Sequence, residues 1–562
     1  MTSFAPFLIF YVGALFLALT QGMVRRLVLL AIPVAGALNL YWLGEDALWQ
    51  AQLLDYELNV VRVDQLSMLF GYLFHLAAFI AIIFSLHLRD GVQHVSAILY
   101  AGSALGAVFA GDLITLFIFW ELLAISSAFL ILARRTERAY ASAMRYLVIQ
   151  VGSGVILLTG VILRAYETGS TSFDQIGLDG LSSWLIFLAF GIKCCFPLLH
   201  NWATDAYPEA TETGTVFLSA FTTKVAVYAL ARGFPGTELL VYIGAAMAMF
   251  PIFYAVIEND LRRVLAYSMI NQIGFMVCGV GIGTALALNG AVAHAFNDVI
   301  FKGLLFMSMG AVLYRTGKID GSELGGLYKS MPWTCGFCIV GAASISAFPL
   351  FSGFVSKSMV MVAALEEGHP IVWLALLFAS AGVFHHAGIK IPYFAFFAHD
   401  QGIRTKEAPT NMLIAMALAA ALCIFNGSYP WVLYSLLPWP VEYEPYTVEH
   451  VLTQSQLLFF SALAFCWLKL TGLYPPELPS VNIDAEWSYR KALPALMRWV
   501  MALGGAVRLD VLSRLQRRLE RFLKEIYRHH GPQGVLARTW PTGSMAFWTT
   551  VLLGVYLIAY FL

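Results

Sequence analysis

Charge is scarce in this sequence. Only 12% of its 562 residues are Asp, Glu, Lys or Arg, while 59% are hydrophobic and the mean hydropathy is +0.74. A soluble globular protein carries about 25% charged residues, so the shortage excludes a water-facing surface and makes lipid the main solvent. The formal net charge is zero, so no nucleic-acid partner is expected. The first apolar run, Phe4 to Thr20, has no basic residue before it and no small-residue cleavage site, so it reads as a retained helix rather than a signal peptide. A dinucleotide fingerprint and an iron-sulfur cysteine run are missing too, so no cofactor or metal is expected on this chain. Cys335 and Cys338 form a lone CxxC with no second pair to complete a metal site; like Cys194 and Cys195, they read as buried, inert thiols.

What is abundant is apolar runs of the length that crosses a bilayer as a helix, about 20 residues. The pattern predicts helices at 4–20, 24–43, 65–87, 93–110, 112–133, 140–165, 181–199, 211–233, 237–257, 264–282, 287–314, 331–366, 371–398, 409–428, 451–470 and 545–562. Short cytoplasmic loops collect Lys and Arg. Arg25 with Arg26, Arg89, Arg134 with Arg135 and Arg138, Arg262 with Arg263, and Arg315 with Lys318 and Lys329 fall in alternate loops, which are assigned to the cytoplasm. The loops Glu45 to Asp64 and Glu167 to Asp179 lean acidic, so the N-terminus is expected outside.

The same rule decides 331–366, too long for one crossing and short for two. One crossing broken near Pro349 to Gly353 puts Arg404, Lys406 and the basic tail inside and Glu442 to Glu449 outside. A second interruption is expected at Lys193 to Pro197, and paired broken helices point to a transporter built from inverted halves, although no obvious sequence repeat accompanies them. Residues 485–530 hold ten Lys or Arg against four acids, and Leu512, Leu515, Leu519, Phe522 and Ile526 repeat at helical spacing, largely away from Arg514, Arg517, Arg518 and Arg521. This is an amphipathic helix, on the membrane face or on a partner subunit, ahead of a final anchor. The expected organisation is N-terminal helices in 1–90, a core of inverted halves in 91–400, further helices in 401–480, the basic amphipathic segment in 481–544 and the anchor in 545–562.

A charged side chain at the centre of a membrane helix costs about 2.5 to 3.5 kcal/mol on insertion scales, so each one needs a partner, a cavity or a function. Glu121 is the only charge between Leu113 and Ala133; Lys193 precedes a helix-breaking proline; Lys224 sits mid-helix. A buried lysine is suited to exchanging its proton. The alternative is a fixed Glu-Lys ion pair holding helices together. Asp298 and Lys302 share a helical face at i, i+4, as a static pair or as relay members, and His294 lies one turn before them. His386 and Lys390 repeat that spacing beside His385, though Lys390 is near enough to the helix end to reach the interface. Lys357 serves either the helix break or conduction.

These residues resemble a known family. Phe119-Trp120-Glu121-Leu122, Lys193 with Pro197, His200-Asn201-Trp202 ahead of Asp205-Ala206, Lys224-Val225-Ala226-Val227-Tyr228, the block Asn259 to Ser268, and Lys302-Gly303-Leu304-Leu305-Phe306 occur in this order in the antiporter-like subunits of respiratory complex I and in Mrp-type Na⁺/H⁺ antiporters. The similarity covers roughly residues 60–400. Asp205-Ala206-Tyr207-Pro208, Thr223-Lys224-Val225 and Phe348 to Phe354 are most similar to the D-type subunit of the multisubunit Mrp antiporters. The resemblance implies an all-α polytopic membrane protein of about 14–16 transmembrane helices, with two inverted five-helix repeats containing discontinuous helices, in a bacterial inner membrane. It also implies that Glu121, Lys193 and Lys224 are the essential relay residues, that Lys302 continues the axis, and that His386 and Lys390 end it. Two departures stand out: Ala203-Thr204 replaces the family's Leu-Pro, and Asp298 stands where His is common.

The expected function is proton translocation in a multisubunit monovalent cation/proton antiporter, a secondary transporter rather than an enzyme. Protons would rest on Lys193 or Lys224 and move as an ion pair with Glu121 is made and broken. The expected partners are other membrane subunits, H⁺, Na⁺ and the lipid bilayer. The rival reading is the pumping subunit of a complex I-like quinone oxidoreductase or membrane-bound hydrogenase, with the redox chemistry on its partners.

Overall fold

A long apolar run becomes a helix in lipid because its backbone groups must be satisfied within the segment. The computed structural model describes residues 4–44, 49–53, 56–479, 482–503, 509–531 and 542–561. Among them, twelve helices are long and apolar enough to cross a membrane, and four shorter apolar helices accompany them. The chain runs through α1 (Pro6–Leu19) and α2 (Gly22–Tyr41), then a hairpin of β1 (Trp49–Leu53) and β2 (Tyr56–Val61) within the acidic loop 45–64. α3 (Gln65–Ser85) leads into a first five-helix bundle: α4 (Gly91–Phe109), α5 (Leu113–Leu132), α6 (Glu137–Thr168), α7 with α8 (Leu181–Lys193, Asn201–Ala206), and α9 with α10 (Gly214–Ala220, Thr222–Gly233). The second comprises α11 (Glu238–Ile257), α12 (Leu261–Ile282), α13 (Ala285–Thr316), α14 with α15 (Pro332–Ile345, Ser352–Glu366) and α16 (Pro370–Val383). α16 continues as π-helical turns at Phe384–Lys390 and Tyr393–Phe397, where the apolar pattern predicts one unbroken α-helix. α17 (Thr410–Ser428), the short α18 (Trp431–Tyr434), α19 (Val448–Leu470), α20 (Leu493–Leu503), α21 (Leu509–His530) and α22 (Thr542–Phe561) follow.

The two bundles repeat one another in detail. Asp112 caps α5 and bridges Ser172; Asp260 caps α12 and bridges Asp320. α6 and α13 both span 32 residues, start on a threonine cap (Thr136, Thr284) and stop at a left-handed glycine (Gly169, Gly317). The breaks match as well. After α7 and after α14 the chain reads Phe-Pro-Leu, at Phe196 to Leu198 and Phe348 to Leu350. Residues flanking each Phe-Pro take positive φ: Cys195 at 64° and Leu198 at 71°, Ala347 at 57° and Leu350 at 72°. The same backbone bond closes both helix ends, Phe196 N to Gly191 O and Phe348 N to Ala343 O, each 3.0 Å. Left-handed backbone is costly for residues with a side chain, so two copies of it indicate a constraint shared by the halves. The crossing 331–366 is therefore the single interrupted unit that the loop charges predict. A further break, at Phe221, divides the expected helix 211–233.

Loop contacts sort the faces. On one face Arg25 donates to Arg89 O at 3.4 Å, Arg135 pairs with Asp90 at 3.3 Å, Arg138 with Glu209 at 2.6 Å, and Asp400 holds both Lys329 and Arg404. On the other, Arg62 pairs with Asp174 at 2.6 Å and Arg232 with Asp64 at 2.7 Å. α11 and α12 touch backbone to backbone at Gly244 and Gly274, where a Cβ would overlap the facing helix. In the basic segment, the ring of Tyr527 on α21 meets Tyr140 on α6 at 5.9 Å. Glu45, Asp46 and Asp55 of the acidic loop, and the side chains of Leu512 and Leu515 in the expected stripe and of Arg514 beside it, lie outside the described residues.

Candidate functional site

The first bundle holds two of the sequence-predicted charges. Glu121 is half-buried on α5, and its Oε1 has no hydrogen-bonding partner among the described residues. It lies so close to Gly154 of α6 that a Cβ there would overlap Oε1. Lys193, the last residue of α7, is fully buried; its Nζ donates to Trp120 O at 2.5 Å and stands 4.4 Å from the centre of the Trp120 ring. Trp120 is fixed in turn, since its Nε1 donates to Ser153 Oγ at 3.1 Å. The charges of Glu121 and Lys193 act on one another.

Lys224 departs from expectation. Its carboxylate partner is not Glu121 but Asp298, with Nζ 2.7 Å from Oδ2 and neither side chain exposed. The pair joins α10 of the first bundle to α13 of the second, because α9 and α10 pack against α13. Its hydrogen bond goes elsewhere, from Lys224 Nζ to Ser219 O at 3.0 Å, a carbonyl near the interruption at Phe221. Helix ends carry partial negative charge on such carbonyls, which suits an ammonium.

Asp298 therefore does not form the i, i+4 ion pair with Lys302. Lys302 Nζ donates to Ser268 Oγ of α12 at 2.9 Å, although Asp298 remains the carboxylate acting on it. Asp298 acts likewise on Lys357, whose Nζ donates to Ile345 O, at the end of α14, at 3.0 Å. Hence Lys357 both seats the second helix break and belongs to the charged cluster. His294 sits between the halves of this network, Nδ1 3.0 Å from Ser356 Oγ and Nε2 3.2 Å from Gln272 Oε1. One carboxylate thus serves three fully or almost fully buried lysines, Lys224, Lys302 and Lys357.

The far end is less open than expected. Lys390 donates to the carbonyls of Ala255, Val256 and Glu258 at 3.2, 2.6 and 2.6 Å, closing the C-terminal end of α11. His386, fully buried in a π-helical turn, has no hydrogen-bonding partner on either ring nitrogen among the described residues. It lies within electrostatic reach of Lys302 on one side and Lys390 on the other. π-helical turns are frequent at functional sites.

Interrupted helices around a buried row of lysines, carboxylates and histidines define a class: polytopic helical membrane proteins with a buried polar axis running through two repeated bundles. Residues 110–384 match the family described as NADH:quinone oxidoreductase/Mrp antiporter, TM. The chain is 30% identical to the D-type subunit of the Na(+)/H(+) antiporter of Alkalihalophilus pseudofirmus over 346 residues, 57% of this chain and 69% of that protein. It is also 30% identical to hydrogenase-4 component B of Escherichia coli over 349 residues, 55% of this chain and 52% of that protein, so it spans about half the length of that relative. A chain of the membrane-bound sulfane sulfur reductase, an archaeal respiratory membrane complex, shares the fold with a TM-score of 0.71 at 22% identity, covering 99% of both chains. The chain belongs to the NADH:quinone oxidoreductase/Mrp antiporter transmembrane family.

Proposed function

We propose that this chain is the proton-translocating subunit of a multisubunit monovalent cation (Na⁺)/proton antiporter, set in a bacterial inner membrane with its N-terminus outside. Its main support is the Lys224–Asp298 ion pair, a fully buried salt bridge linking the two bundles at the level of their interrupted helices. Buried pairs gain little net stability over apolar packing, so their presence calls for a function. While the pair is closed, the proton stays on Lys224; opening it lets the proton move towards Glu121 and Lys193 or towards Lys302, His386 and Lys390. Carbonyls of Trp120, Ser219 and Ile345, the last two at helix breaks, accept from Lys193, Lys224 and Lys357, so each ammonium keeps a partner when no carboxylate is in contact.

The test is Lys224→Ala in the complete assembly, in inverted membrane vesicles with a pH-sensitive dye. Proton transport disappears while the complex stays assembled; transport at the parental rate rejects the relay. A second reading, the membrane arm of a redox-driven complex, is favoured by one observation: the respiratory-complex chain aligns over 99% of this chain, including the segments after α17. Purifying the assembly and identifying its subunits separates the two readings. Small membrane subunits alone support the antiporter, and cluster-bearing soluble subunits support the redox arm.

A further inference from the structure

The face bearing the Arg-rich loops holds a polar cavity of about 310 Å³ between α6, α8 and α12. Its cover comes from far along the chain. Residues 482–490, after α19 and outside the matched family region, lie across it as a strap. Asn482 donates to Glu258 Oε2 at 3.2 Å, and Arg490 pairs with Glu486 at 2.8 Å. Between them Asp484 turns inward: its side chain is only 4% exposed, Tyr267 of α12 donates its hydroxyl to Oδ2 at 2.6 Å, and His200 Nε2 stands 3.1 Å from the same oxygen. His200 Nδ1 and the neighbouring Asn201 Oδ1 are buried without a hydrogen-bonding partner among the described residues. So is Thr223 Oγ1, beside Lys224. Buried polar atoms in proteins are nearly always paired with protein or water, so the unpaired atoms at His200, Asn201 and Thr223 are candidate stations on a line between the cavity and Lys224.

We propose that Asp484 is a proton-exchanging residue at the mouth of this line, and that the strap carrying it completes the site where protons are exchanged with this face; this rests on the relay reading above. Hydronium in the cavity gives H⁺ to the Asp484 carboxylate and leaves water. The neutral acid passes its proton to His200 Nε2 while Nδ1 gives its own to a water on the Lys224 side, which becomes hydronium, so the carboxylate is restored and the imidazole stays neutral. Other titratable groups face Asp484 from each element around it: Arg138 and Arg145 from α6, Asp205 and Glu209 from α8 and its exit, Glu258 and Tyr254 from the end of α11, Arg263 and Tyr267 from α12, and Glu486 and Arg490 from the strap. Burial pushes the Asp484 carboxyl up, but the His200 and Tyr267 bonds prevail and hold it below the usual carboxylate value.

The test compares Asp484→Asn, Asp484→Glu and Lys224→Ala in the complete assembly, reading proton transport per assembled complex against pH. Asp484→Asn should slow transport by about tenfold or more and flatten the acid side of the pH profile, with Asp484→Glu restoring most of the rate. Parental rate and profile in Asp484→Asn, with transport lost in Lys224→Ala, overturns the strap's role alone. Reduced assembly in both Asp484 variants with unchanged transport per complex also overturns it, because that is a purely structural contact. Transport in Lys224→Ala overturns the relay itself.

Discussion

Asp298→Asn removes the charge that joins the two bundles and keeps the side chain's shape. At 2.7 Å and an effective dielectric of about 20, the Lys224–Asp298 attraction is about 6 kcal/mol before the cost of desolvation. Breaking one side of a buried pair typically costs about 3 to 5 kcal/mol. If about 3 kcal/mol of that appears in the barrier for a proton to pass between bundles, transport falls roughly 100-fold. Asp298→Glu keeps the charge and should lose much less. The assay is dye-followed, Na⁺-dependent proton movement across inverted vesicle membranes, normalised to assembled complex, with thermal unfolding measured alongside. A static strut predicts the reverse pattern, with a lower melting temperature and unchanged transport per complex. Vesicles carrying Asp298→Asn that pump at more than half the parental rate would refute the bridging role.

Gly154→Ala places a methyl group where Glu121 Oε1 now rests, so the carboxylate must swing away from α6. Alanine favours a helix over glycine by up to about 1 kcal/mol, so melting should hold steady or rise slightly while transport drops; unchanged transport would show that Glu121 needs no fixed position. On the acidic face, Asp64 caps α3 and accepts Arg232 at 2.7 and 2.8 Å; burial pushes its carboxyl up, but Arg232 and the Ser67 backbone N–H outweigh that and hold it below the usual value. A depressed carboxyl stabilises the fold above its unfolded value, about pH 4, and this contribution is lost as pH falls through the lower folded value. The parent should therefore lose melting temperature on acidification more steeply than Asp64→Asn, and parallel curves would discard the linkage.

Apolar run length shows where helices lie, and loop arginines show which ends share a face, because lipid and membrane potential act on single residues in sequence. Spacing also shows which residues share one helix. It is silent on which helices meet, so it pairs Asp298 with its own-helix neighbour Lys302 when the oxygen in fact faces Lys224 on another helix. In sequence Lys390 reads as the relay's last member or as a side chain reaching the interface; its ammonium also closes α11, and nothing in the local pattern reveals the three carbonyls arriving from residues 255–258. Lys357 seats the second helix break, as one of its two expected roles has it, and also lies within reach of Asp298. The repeat is readable in one place, the recurring Phe-Pro-Leu, but a three-residue match is visible as a repeat only once the positive φ angles on either side are known. Asp484 leaves no signal in the membrane pattern because it belongs to a polar connector, and only folding brings it back against α12.

The glycine contact between α11 and α12 has a mechanical consequence. Two rods pressed together along their spines have no side-chain cushion in which to slide, so this pair travels as a unit. On the proposed relay, a stroke parting Lys224 from Asp298 would fall to the jointed spans at residues 194–200, 221 and 346–351, with the glycine-welded pair as its frame.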